Sequence, residues 1–317
     1  MWFDRCLTWG RQVHEATSAA RQRLWALRRC LGRDWGLDPH IFLQVVRRAI
    51  LPRLFYGASC WASALSSSTR LAELDSVLAA ASKMAFRLER NTSTEAALAL
   101  AGLHPARHQI MRLLCRYMVR RERATLFDPS PPRIPTHHVS AHELGRAWFR
   151  RSVLGRTLSE SQPQRWRVIT SAIDRALLFE WRARWRTAAT GAALREAFPV
   201  VGHEWRPVDA GVGDRLDLTV AARFLVGHCH LGSFRVPWDE DEWEPCPLCG
   251  EDFTRAHLVW ECRAVTQERE HLLGSAGSVR EGDWRWLARF RGSRLGGFVR
   301  SVSRLVERSG VVSDRVS

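Results

Sequence analysis

"TRLAELDSVLAAASKMAFRLER", residues 69–90, decides the fold class. Leu71, Leu74, Leu78, Ala81, Ala85 and Leu88 recur at three- and four-residue spacing, which lines them along one stripe of a helix with charged residues opposite. The same period returns in both directions. Upstream, Val13, Ala16, Ala20, Leu24 and Leu27 mark a helix over 11–30. Asp38 followed by Pro39 predicts a helix start, with Asp38 as N-cap and Pro39 in the first turn. The apolar run behind it meets Pro52, which lacks an N–H and crowds the carbonyl of Arg48, so a kink or break is expected there. Ser66 to Ser68 form a polar break. Further helices are expected over 94–100, ending near Gly102, over 106–124, near 140–155, and over 163–190 and 216–227. A last one is expected over 283–308, with Trp286, Phe290, Phe298, Val302 and Leu305 apolar. Alternating strand patterns are scarce, so the expected class is mainly α.

The charge bounds the partners. The 317 residues carry a net charge of +15, which implies an acidic ligand, nucleic acid first among them. Lys83 is the only lysine. Arginine suits bidentate contact with phosphate and guanine; a GC-rich gene would give the same ratio, though not the excess of base over acid. The runs around 21–33, 112–123 and 146–186 are the expected basic surface, with Arg21, Arg28, Arg29, Arg33, Arg116, Arg120, Arg121 and Arg123 as candidate nucleic-acid ligands. No apolar run approaches the roughly 20 residues of a membrane span, and no secretory signal opens the chain.

Residues 128–136, "DPSPPRIPT", hold four prolines in nine positions and mark a boundary. The tryptophans of 163–190 read as packing residues rather than a stacking platform. His137, His138 and His142 flank the proline-rich stretch and offer only a weak metal pattern. Asp174 and Glu180, six apart on a helix, do not face each other as an acid–base pair. "SRLGGFVRS" lacks the lysine and spacing of a phosphate loop.

Cys6, Cys30, Cys60 and Cys115 stand singly in apolar or helical stretches, the pattern of buried thiols in a reducing compartment, nuclear or cytoplasmic. "PCPLCGEDFTRAHLVWEC", residues 245–262, differs. Its spacing is Cys246-x2-Cys249-x7-His257-x4-Cys262. Two cysteines two apart share one ion from a tight turn, and Gly250 permits the positive φ such turns use. Three thiolates and one imidazole make a closed tetrahedral shell, so the expected cofactor is one structural zinc ion without a water position for catalysis. His228, Cys229 or His230 could instead enter the shell. Residues 239–252 carry seven acids and no base, which sets this segment against phosphate and makes a protein contact at least as good a reading.

Three N-terminal stretches, "WFDRCLTWGRQV" (2–13), "LRRCLGRDWGLDPHIFLQVVRRAILPRLFYGASCWA" (27–62) and "RNTSTEAALALAGLHP" (90–105), resemble the thumb region of non-LTR retrotransposon reverse transcriptases of the jockey, R1 and Tad type. "FLVGHCHLGSF" (224–234) and "CPLCGEDFTRAHLVWECRAVTQER" (246–269) are similar to the family's C-terminal zinc knuckle and the segment before it. The likeness covers roughly residues 1–125 and 215–272. Together with the residue patterns above, it divides the chain into a helical thumb-like bundle over 1–127, a proline-rich linker over 128–139, a helical connector over 140–235, a small Cys3His zinc knuckle over 236–272, and a C-terminal amphipathic helix and tail over 273–317. It also implies a grip on RNA or an RNA–DNA or DNA duplex.

The departures set the functional expectation. The family's polymerase needs an Asp-Asp palm turn to hold two divalent metals. No Asp-Asp pair occurs here, and 128–215 supplies few of the acids an RNase H fold needs. The expected function is a non-catalytic, nucleic-acid-binding C-terminal fragment of a reverse transcriptase. The alternatives are part of an RNA-directed DNA polymerase, or a protein-interaction module working through the acidic knuckle or the 283–308 helix.

Overall fold

The computed structural model describes residue 2 and residues 8–32, 35–127, 166–209, 215–231, 234–236, 245–274 and 282–310; of residues 121–127, 166–168 and 235 it describes the backbone only. Arg33, the proline-rich stretch and the helix expected over 140–155 lie outside these residues. Among the described residues the protein is mainly helical. In chain order the helices are α1 (Gly10–Arg28), α2 (Pro39–Val45), α3 (Leu51–Leu54), α4 (Ser68–Phe86), α5 (Thr94–Ala101), α6 (Ala106–Phe127), α7 (Trp166–Arg186), α8 (Ala192–Ala197), α9 (Arg215–Leu225), α10 (Thr266–Leu273), α11 (Trp284–Phe290) and α12 (Gly292–Ser309). A two-stranded antiparallel hairpin, β1 (His230–Leu231) and β2 (Phe234–Arg235), pairs Leu231 with Phe234. None of these helices is long and apolar enough to cross a membrane.

Local chemistry explains most boundaries. Asp38 caps α2 as expected: its Oδ1 accepts from the N–H groups of His40 (2.7 Å) and Ile41 (3.2 Å). Pro52 falls in the first turn of α3, and the backbone before it widens into a π-helical turn, Val46–Ile50. The break expected at Pro52 is thus a change of helical pitch. Ser93 caps α5 through its Oγ, and Gly102, at φ 59°, closes it.

Helix α4 stops at Phe86, short of the Arg90 end that its stripe suggested. Arg87 takes φ 50°, a left-handed conformation usually left to glycine. The Leu88 N–H then reaches back to Lys83 O (2.9 Å) and the Arg87 N–H to Met84 O (3.4 Å), the paired bonds of a Schellman ending. Leu88 is buried, but outside the helix.

The described residues gather into two units, each drawn from separated stretches: residues 1–29, 44–81 and 103–187, and residues 30–43, 82–102 and 188–317. In the first, α1 packs on α3 and the π-turn, and α6 packs on α7. Trp61, Trp181 and Trp185 are fully buried there, so Trp181 and Trp185 of α7 are packing residues. Arg112 grips Asp174 through Nε (2.7 Å) and Nη2 (2.8 Å), and Arg116 adds a third bond at 2.9 Å.

In the second unit α9 and α12 lie closest. Gly296 sits against the backbone of Asp217, where a Cβ would stand 2.0 Å from the carbonyl oxygen, so a side chain there would force the helices apart. Asp217 also binds Arg300 at 2.5 Å. The single helix expected over 283–308 is two: the backbone breaks at Arg291 (φ −128°). Asp283 caps α11 through the Trp286 N–H (3.0 Å). Asp209 caps α12, its two carboxylate oxygens each accepting at 3.0 Å from the N–H groups of Ser293 and Arg294. The break slips the register. Trp284, Leu287, Leu295, Phe298, Val299, Val302 and Val306 are buried, whereas Phe290 faces out and Trp286 and Leu305 are only half-buried.

Candidate metal centre

The segment 245–274 opens with a tight turn. Pro245 bridges Asp252, the Cys246 N–H donates to Glu251 O (2.7 Å), and the Gly250 N–H donates to Cys246 O (2.8 Å). Gly250 takes φ 79°, the conformation its position required. Cys246 and Cys249 leave this turn on the same side. Thr254 then starts the next turn, its Oγ1 accepting from the His257 N–H (2.9 Å).

His257 and Cys262 are five residues apart. On an α-helix that spacing would point them about 140° apart. Here His257–Glu261 is a π-turn, closed by the Cys262 N–H on His257 O at 2.7 Å, and the wider turn brings both side chains round to the cysteine pair.

The four donor atoms lie within 4.8 Å of one another, so Cys246, Cys249, His257 and Cys262 could hold a metal ion. The Sγ atoms of Cys246 and Cys262 are 4.0 Å apart, and those of Cys262 and Cys249 are 3.7 Å apart. Nε2 of His257 is 3.2 Å from Cys249 Sγ. Tetrahedral zinc with its usual bond lengths would separate two thiolates by about 3.8 Å and a thiolate from an imidazole by about 3.5 Å. The donor set is therefore compatible with zinc. Nδ1 of His257, the nitrogen turned away from the thiols, faces Glu251 (3.7 Å) and Glu261 (3.6 Å), the carboxylate placement that orients a ligating imidazole.

The thiols share charge among themselves. The hydrogen bond with Cys262 holds the Cys246 thiol down at about 4. The same bond pushes Cys262 up, and burial pushes Cys249 up. A bound cation would hold all three as thiolates, so metal binding would release protons. The neighbours that could have competed for the shell point elsewhere. His228 and His230 face Glu89 at 3.9 and 3.6 Å, and Cys229 is buried with its thiol pushed up to about 12, chiefly by desolvation.

One anchor of this segment has no sequence signature. Arg255 is 3% exposed. Its guanidinium donates to the carbonyls of Ala193 (3.1 Å) and Leu225 (3.2 Å), binds Glu196, and stacks 4.2 Å over Trp284. It ties the cluster to α8, α9 and α11. An arginine between Thr254 and Ala256 reads as surface charge; only the fold turns it inward.

The arginines singled out for nucleic acid fall on α1 and α6. Arg28 is exposed and lies 4.7 Å over Trp25, itself 55% exposed; Arg29 is exposed at the helix end. Arg21 is half-buried and donates to Ser76 Oγ (2.8 Å). Arg116 is drawn to Asp174, and Arg120 is exposed on α6. Arg121 and Arg123 belong to α6 by backbone only, and Arg33 lies outside the described residues.

Fold and site together define a mainly helical protein with a Cys3His cluster that could hold a metal ion. Over 254 residues the chain is 24% identical to a retrovirus-related Pol polyprotein from type-1 retrotransposable element R1 4 of Nasonia vitripennis. The match covers 78% of this chain and 55% of that protein, so it spans about half of its relative's length. No protein-family model matches, and no solved structure matches. The similarity supports a retrotransposon-related origin.

Proposed function

We propose that the chain is a non-catalytic, nucleic-acid-binding part of a non-LTR retrotransposon reverse transcriptase of the R1 kind, corresponding to its thumb region and C-terminal zinc knuckle. The observation that carries this is the similarity to the Pol polyprotein across 78% of the chain. The +15 charge and the exposed arginines of α1 and α6 supply the electrostatic grip, on RNA or on an RNA–DNA or DNA duplex. The Cys3His cluster supplies shape: four protein donors fill a tetrahedral zinc shell, leaving no place for a reacting water. The exposed carboxylates of Glu251, Asp252 and Glu261 around it favour a protein contact there over a phosphate contact.

Titration of the chain with a structured RNA and an RNA–DNA hybrid across salt concentrations tests the reading. Log K should fall linearly with log[salt], by about 0.9 for each duplex phosphate neutralised. Affinity that ignores salt would sink it. Primer extension with Mg²⁺ by the same purified chain would favour the polymerase reading instead.

A further inference from the structure

The outward face of α11 carries a cluster with no part in the metal centre or the grip described above. Trp286 and Phe290 are four residues apart, so their rings share one face of the helix. The ring centroids lie 6.2 Å apart at an interplanar angle of 36°. The Arg289 guanidinium lies 5.1 Å over Phe290, and that of Arg291 lies 5.7 Å over Trp286. Phe290 is 40% exposed and Trp286 half-buried, while Trp284, Leu287 and Ala288 hold the opposite side in the core. Arg285 and Arg289 are exposed, and every charged residue from 284 to 291 is an arginine. Val208, whose N–H donates to Arg289 O at 2.6 Å, adds exposed apolar surface at the end of the helix.

Partly exposed rings flanked by guanidinium groups, with the neighbouring Asp283 carboxylate taken up by the Trp286 N–H, complement a ligand that has flat π faces joined by anions. Burial does not explain the arrangement in full, because Phe290 is exposed and Trp286 only half-buried. We infer that this face of α11 is a binding site for single-stranded nucleic acid. Bases stack on Trp286 and Phe290, and the flanking phosphates meet Arg285, Arg289 and Arg291. A duplex keeps its base faces stacked inside and can use only the arginines, so the site distinguishes strand from duplex. The inference rests on the nucleic-acid-binding reading, but shares no residue with the arginines of α1 and α6.

The test is fluorescence anisotropy with the full chain and three probes: an oligouridine of about twenty nucleotides, long enough for a typical single-strand site, an RNA duplex of matching length, and inorganic polyphosphate as competitor. Phe290→Ala and Trp286→Ala should each weaken oligouridine binding roughly tenfold, while duplex affinity and polyphosphate competition stay within about twofold. Phe290→Tyr and Trp286→Phe should restore binding. Phe290→Leu keeps the apolar bulk and removes the ring, so it should still lose oligouridine, which separates stacking from folding. Arg289→Ala should weaken all three probes. Oligouridine binding unchanged in Phe290→Leu and Trp286→Ala would overturn the site and leave the proposed function standing. So would an equal loss for polyphosphate, the behaviour of a surface for any acidic partner. A wild-type chain that binds no RNA at low salt would overturn both.

Discussion

The helix pair α6–α7 and the metal segment 245–274 hold themselves together by different means. Each of the two helices exceeds twenty residues, and Ile110, Leu114, Trp181 and Trp185 are buried on them, with the half-exposed Arg112–Asp174–Arg116 cluster as a polar addition. The metal segment buries Phe253, Leu258, Val259, Val265 and Leu272, but its turns are three to eight residues long. Short turns cannot repay their ordering entropy through side-chain packing alone. They need a fixed point at each end, and this segment has two candidates: the Cys3His cluster and buried Arg255. The difference teaches that two long helices can rest chiefly on apolar burial, with ion pairs at the edge, while a run of short turns depends on a few buried polar contacts such as those of Arg255.

The largest expected effect breaks the second region and spares the first. Cys249→Ser should remove bound zinc and strip amide-exchange protection from about residues 245–265, since structural zinc contributes roughly 10–16 kcal/mol of binding energy in small zinc-dependent folds. Protection in α6 should persist. Full zinc retention by atomic emission would remove Cys249 from the shell.

Arg255→Ala comes next. It strips the partner from Glu196 and from two carbonyls, and should cost about 3–5 kcal/mol in urea unfolding, less to the extent that water reaches Glu196. Arg255→Met, which keeps the stem over Trp284, should cost less. Equal losses would show that packing, not the polar bonds, holds this anchor.

The third effect belongs to the first region. Burial first, then His108 and Arg112, holds His104 down at about 4, against 6.5 for a free histidine. The unfolded chain takes up this proton before the native one does. Stability from this group is therefore complete above about pH 6.5 and is lost as pH falls toward 4, by about 3 kcal/mol in all. His104→Gln should flatten that slope in urea titrations at several pH values. An unchanged slope would assign the acid sensitivity to other groups.

Asp209→Ala should give the smallest loss, about 1 kcal/mol, by freeing two N–H groups at the start of α12. Asp209→Asn should recover part of it. Thermal melts of the pair would show whether α12 depends on this cap or only on its apolar face.

Much was legible before the fold. The stripe of 69–90, the cap at Asp38 and the candidate Cys3His cluster are written in short spacings, because periodicity, capping and knuckle turns act within a turn or two. What stayed hidden depended on distant partners. Arg87 ends α4 in a conformation that glycine normally signals; its carbonyl accepts from Arg223 Nε at 2.8 Å, a residue far along the chain. The apolar pattern of 283–308 reads as one helix because its period outweighs the single Gly292-Ser293 pair that follows Arg291. Asp209, the cap of α12, lies 84 residues before Ser293, which it holds.

By itself, the sequence determined the mainly helical class, the starts of α2 and α5, and which three cysteines and one histidine form the candidate cluster. Tertiary structure decided which way those donors turn, through the π-turn at His257–Glu261. It also sent Arg255 inward and left Phe290 of α11 exposed. The physical reason is range. Backbone propensity and capping are settled by neighbours a turn away, whereas the burial of a guanidinium or the exposure of a ring depends on which distant segments return to cover it.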